Sequence, residues 1–194
     1  MKSNDLGYYQ NKYKIIDKFN DSEPKIRLAG CLTGFLIGLI TIIPFLLIVP
    51  HKIATLSTKD IQDVYLLFLL FPAYFLFLFL HELIHSIFIF IFSKHKPRIW
   101  FNYSLLGINA SISRKEGIAS YLAPFVAITI LSAAISFFVN PIVQITLLAL
   151  VIENTVGSCN DFLFSFRLFR CKGAGIRLAH EKPKKGIDTI FFQV

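Results

Sequence analysis

The chain has 194 residues, 55% of them hydrophobic, and a formal net charge of +8. Soluble domains use about 45–50% apolar residues even with glycine counted, so the composition excludes an ordinary soluble domain, and the length leaves room for one domain with a tail. Two uncharged stretches, Leu28–Val49 with 22 residues and Gly117–Ile152 with 36, supply the roughly 20 apolar residues that a spanning helix needs.

In chain order, residues 1–27 form a basic, polar segment without the short apolar region and cleavage site of a signal peptide. The first span is Leu28–Val49, stopped by Pro50. Gly30, Gly34 and Gly38 recur every fourth residue on one helical face, which lets another helix approach closely. That face serves either packing within the chain or a homodimer. The second span runs from about Val64 to Phe92. At 1.5 Å per residue its length of about 43 Å exceeds a hydrocarbon core of about 30 Å. Tilt, a kink at Pro72 or a cytoplasmic extension must absorb the excess. Pro97–Arg114 alternates, is rich in aromatic and β-branched residues and is divided by Leu106-Gly107, which predicts a short hairpin. Its two Asn-x-Ser matches, at Asn102 and Asn109, face the cytoplasm on this topology and are discounted.

The third span is about Ile118–Val139. Asn140-Pro141 turns the chain into the fourth, about Pro141–Phe166, and a basic tail occupies 167–194. The expected fold is an all-α polytopic membrane protein, with four transmembrane helices in a domain at 28–166 and a cytoplasmic hairpin-like insertion between helices 2 and 3. Placing both termini in the cytoplasm puts 18 of the 20 Lys and Arg residues inside, as the positive-inside rule demands. The basic charge then reports topology and contact with anionic lipid rather than nucleic acid. Cys31, Cys159 and Cys171 lack any Cys-x-x-Cys spacing and read as unpaired thiols.

The second span carries the chemistry. His81-Glu82-Leu83-Ile84-His85 interrupts a run of Leu, Ile and Phe. Ionisable groups inside a membrane span cost roughly 2.5–3.5 kcal/mol each at the centre and mark functional sites. On a helix, His81 and His85 share a face and can converge on one metal ion, while Glu82 points about 100° away and can reach water as a general base. That is the arrangement of HExxH zinc hydrolases, which need a third protein ligand.

The fourth span, with "NTVGSCND" at 154–161, supplies candidates. Counted from the cytoplasmic ends, His85 lies about 11 Å deep, Asp161 about 9 Å and Glu153 about 21 Å on straight helices. Asp161 is therefore the expected third ligand, and Glu153 a group behind the ligands or an interhelical hydrogen bonder. Asn154 could hold a substrate carbonyl, orient a ligand from behind or cap a break near Gly157. Cys159 points away from Asp161. His51, His95 and His180 lie outside the spans and are expected to be solvated.

HELIH late in an aromatic-rich span, "YLAPF" at 121–125 and "NTVGSCND" resemble the putative zincin peptidases, small bacterial membrane proteins. More distantly they are similar to site-2 proteases. The resemblance spans roughly residues 60–170 and implies His81, His85 and Asp161 as zinc ligands with Glu82 as catalytic base. Site-2 proteases carry Pro and Gly after their Asp, whereas Phe162-Leu163 follows Asp161 here. The expected function is a Zn2+-dependent, membrane-embedded peptidase of the cell membrane, acting on membrane or membrane-proximal peptides near the cytoplasmic face. The alternative is a metal-binding transporter or sensor without hydrolysis, although no internal repeat of the transporter kind is visible.

Overall fold

The computed structural model describes residues 13–20, 23–48, 65–100, 103–106, 110–139, 141–181 and 188–194. In chain order they form β1 (Lys14–Asn20), α1 (Pro24–Ile48), α2 (Tyr65–Ser93), β2 (Arg98–Trp100), β3 (Tyr103–Leu105), β4 (Ile112–Ser113), α3 (Arg114–Ser136), α4 (Pro141–Gly157), α5 (Cys159–Arg170), β5 (Ile176–Glu181) and β6 (Asp188–Gln193).

The apolar runs fold as helices because a helix satisfies its own backbone groups where water is absent. α2 is one helix of 29 residues through Pro72. Among the described residues, Phe75–Ser93 and α3 are each long and apolar enough to cross a membrane. The count is three if α4 and α5 form one span, against four expected crossings; the first expected span coincides with α1, of 25 residues.

The segment expected as the fourth span is not straight. Its two halves meet at 49° beside Gly157 and Ser158. Glycine has the weakest hold on helical geometry of any residue but proline. α3 begins with a capping box in which Ser113 N donates to Glu116 Oε2 at 2.7 Å and Ser113 Oγ accepts from Glu116 N. Two of the backbone donors left unpaired at the helix start are thereby used.

The all-α expectation needs correction. A four-stranded antiparallel sheet of order β1-β6-β5-β4 joins the N-terminal segment, the insertion and the tail. In it residues 14–20 pair with residues 188–193: Lys14 pairs with Gln193 and Asn20 with Asp188. The expected hairpin exists as β2–β3, but with a different division. Arg98 pairs with Leu105 and Trp100 with Tyr103, so the chain turns before Leu106-Gly107, and β4 leaves to pair with β5.

Alternation gives the larger sheet two apolar faces. Ile112, Leu178 and Phe191 pack with Ile89, Tyr121, Phe164 and Leu168 of the helices, whereas Ala179, Ile190 and Phe192 form a cluster with Tyr13 and Ile15. The first of these faces seats the sheet on the helical bundle, above the polar groups of α2.

The glycine stripe of α1 is occupied within the chain. Gly30 faces Asn160, Gly34 faces Cys159 and Gly38 faces Thr155. Of its two expected uses, packing within the chain is the one observed, and a homodimer through this face would have to displace α4 and α5.

Candidate metal centre

α2 presents His81 and His85 one turn apart toward α5, both buried. Asp161 stands in the first turn of α5, where the positive end of the helix favours a carboxylate. His81 Nε2 and His85 Nε2 lie 3.1 Å apart, and each is 3.3 Å from Asp161 Oδ2. All three ligand atoms lie within 4.8 Å of one another and could hold a metal ion.

The other ring nitrogens settle the tautomers. His85 Nδ1 is 2.8 Å from the carbonyl oxygen of Ser120, which can only accept, so this nitrogen carries the proton. Asn154 Nδ2 donates to Phe125 O at 3.3 Å, which leaves Asn154 Oδ1 to accept from His81 Nδ1 at 3.0 Å. Both Nε2 atoms therefore direct lone pairs at each other and at a carboxylate oxygen. Three acceptors converging in this way form the environment of a cation.

The dimensions also fit zinc. A tetrahedral ion with bonds of about 2.0–2.1 Å separates its ligand atoms by about 3.3–3.4 Å, close to the observed 3.1–3.3 Å. Metal-binding histidines usually donate their second N–H to a carbonyl or a carboxylate in this manner.

The free Ser120 carbonyl has a local cause. Pro124 lies four residues on, inside α3. Proline lacks an N–H and cannot accept the i−4 carbonyl into the helical ladder. The "YLAPF" proline thus releases the oxygen that orients His85.

Above the triad lies a cavity of about 270 Å³ whose walls include Glu82, Ser104, Tyr121, Phe164, His180 and Thr189. Glu82 Oε2 is buried without a hydrogen-bond partner in the protein, although Ser104 Oγ donates to the Glu82 backbone oxygen at 2.7 Å.

A family model described as "Putative zincin peptidase" matches residues 74–174, more than half of the chain. The chain belongs to the putative zincin peptidase family. No curated protein and no solved structure matches it. All of the HELIH residues, Asn154 and Asp161 fall inside the matched segment, whereas β1, α1, β5 and β6 lie outside it.

Other sequence expectations for this zincin-family chain divide as follows. Asn154 sits behind His81, with Oδ1 3.0 Å from the ring Nδ1. Glu153 is exposed on α4 and outside the triad. Cys159 is buried against Gly34, with Sγ directed at Thr155 O at 3.8 Å, and is no part of the triad. Cys31, Cys159 and Cys171 are free thiols, and burial pushes the Cys171 thiol up, with Asp17 adding to the effect. His95 is exposed, and His51 lies outside the described residues.

His180 overturns its expectation. It is buried, accepts from Leu106 N at Nδ1 (3.1 Å) and therefore donates from Nε2 to Tyr121 Oη at 2.8 Å. Burial, together with the positive charge of Arg98 and with His85, pushes its pKa down to about 3. Arg98 bridges the same corner, donating to Leu106 O at 2.9 Å and His180 O at 3.2 Å. The sequence signal was present in "IRLAHE", where Ile176, Leu178 and His180 alternate onto one buried face.

Proposed function

We propose that this protein is a Zn2+-dependent, membrane-embedded peptidase, with His81, His85 and Asp161 as metal ligands and Glu82 as general base. The observation that carries the reading is the triangle of two Nε2 atoms and one carboxylate oxygen, each imidazole held from behind at Nδ1. A zinc ion there would supply a water acidified to about pKa 7 and a Lewis acid for the scissile carbonyl.

The chain's own groups do the rest. Asn154 and Ser120 hold the Nδ1 protons of His81 and His85 in hydrogen bonds, which leaves both Nε2 atoms free to bind the metal. Glu82, unpartnered at Oε2 and facing the cavity, accepts the proton of the attacking water and returns it to the leaving amine. The cavity admits an extended peptide segment, with Tyr121 and Phe164 as its apolar wall. The lysine and arginine distribution supports a multi-pass protein of the cell membrane with both termini in the cytoplasm. The partners are then membrane lipid and a membrane or membrane-proximal peptide, cleaved near the cytoplasmic face.

The test combines metal content with cleavage. Mass spectrometry of detergent-purified protein is expected to find about one zinc per chain in wild type and Glu82→Gln, and far less in Asp161→Ala. Cells expressing wild type should contain new peptide termini in membrane proteins that are absent from cells expressing Glu82→Gln. Equal termini in both, or no metal in wild type purified without chelator, overturns the reading.

A further inference from the structure

Glu153 is a carboxylate that the site does not use. It lies twelve residues into the fourth span from Pro141, about 18 Å along α4, deep in a hydrocarbon core of about 30 Å. It is exposed at the protein surface. A carboxylate facing lipid at such depth is costly, and intramembrane acids generally face water or protein instead.

A cavity lies beside Glu153. Glu153 lines this second cavity of about 100 Å³ with His81, Glu82, Asn154 and Gly157, and Phe77 and Leu78 complete the wall. Four of the seven lining residues are polar, and at about 30 Å³ per molecule the volume holds about three waters. A peptide segment does not fit. His81, Glu82 and Gly157 also line the larger cavity. A Cβ built at Gly157 meets nothing within 4 Å, so no side chain fills the space between them at that point.

We propose that the smaller cavity is an inlet by which water passes Glu153 to reach Glu82, separate from the larger cavity that receives the peptide. Each bond hydrolysed consumes one water, and a peptide seated in the larger cavity closes that route to solvent. A second inlet that reaches Glu82 removes the conflict. Gly157 keeps it open by having no side chain, and Glu153 keeps it wet. What the water is used for rests on the peptidase reading; its presence beside Glu153 does not.

The experiment uses the full chain in liposomes, with Cys31, Cys159 and Cys171 replaced by Ala and one cysteine returned at a time. A charged methanethiosulfonate reagent reacts with a hydrated thiolate, so Glu153→Cys is expected to label at least about 10-fold faster than Val156→Cys or Ile152→Cys on the same helix. Equal labelling at the three positions overturns the inlet. Fast labelling at position 153 in a protein whose wild type holds no zinc leaves the inlet standing and removes the peptidase reading. The use of the inlet is read from Glu153→Leu, which should retain zinc and lose cleavage, beside Glu153→Gln, which should retain both. Equal cleavage by the two variants overturns it.

Discussion

Asn154 holds His81 from behind, and its removal can be assessed in two independent ways. The residue is 2% exposed and joins His81 Nδ1 to the Phe125 carbonyl through one amide. Asn154→Ala leaves a buried imidazole N–H without an acceptor, at a cost of about 1–3 kcal/mol. His81 can avoid that cost only by moving its proton to Nε2, the nitrogen that faces His85 and Asp161. Loss of such a partner typically weakens metal binding 10–100-fold, about 1.4–2.7 kcal/mol, so the two figures agree. Competition with chelators of graded affinity on detergent-purified protein should therefore show zinc binding weakened roughly 10–100-fold. Asn154→Asp keeps an acceptor at the same place and should bind at least as tightly as wild type. Helicity by circular dichroism checks that both variants fold. Wild-type affinity in a folded Asn154→Ala protein would refute the claim that Asn154 fixes the ligand tautomer.

Two further outcomes follow from the same geometry. Pro124→Ala restores an N–H that competes for Ser120 O, the acceptor of His85 Nδ1. It should raise thermal stability, since proline inside a helix costs about 3 kcal/mol, while weakening zinc binding several-fold; unchanged affinity in the chelator competition contradicts the role given to that carbonyl. The folded pKa of His180 is about 3, below its ordinary 6.5, so the unfolded chain takes up the proton first. Stability is then lost as pH falls below about 6.5, by up to about 1.4 kcal/mol per unit. Melting temperatures at pH 7 and pH 5 should therefore fall further for wild type than for His180→Gln, and an equal fall refutes the assignment.

The helices were legible because hydrophobic runs of the right length leave few alternatives. The expected second span, Val64–Phe92, and the helix Tyr65–Ser93 differ by one residue at each end. The larger sheet was not legible for a different reason. β1 and β6 pair residues 14–20 with residues 188–193, and nothing local in "KIIDKFN" names a partner so far along the chain. The lysines and arginines of both segments carried a strong topological signal, which concealed the weaker alternation beneath it. His180 was lost with the strand that bears it. A histidine outside the apolar spans reads as solvated until a sheet is known to press it against Tyr121.

The fourth span shows what a depth count can and cannot deliver. Residue spacing along straight helices put Asp161 level with His85 and Glu153 about 10 Å deeper. Asp161 does meet both histidines, because it follows the bend and stands in the first turn of α5, where its carboxylate reaches His81 and His85. Glu153 precedes the bend, where the count placed it out of reach, yet it shares a cavity with His81 and Glu82. A hydrophobic run specifies position along one axis and says nothing about where that axis turns. The 49° turn beside Gly157 is what allows two carboxylates eight residues apart in the sequence to approach the HELIH turn from different cavities, one at the metal triad and one at the proposed water inlet.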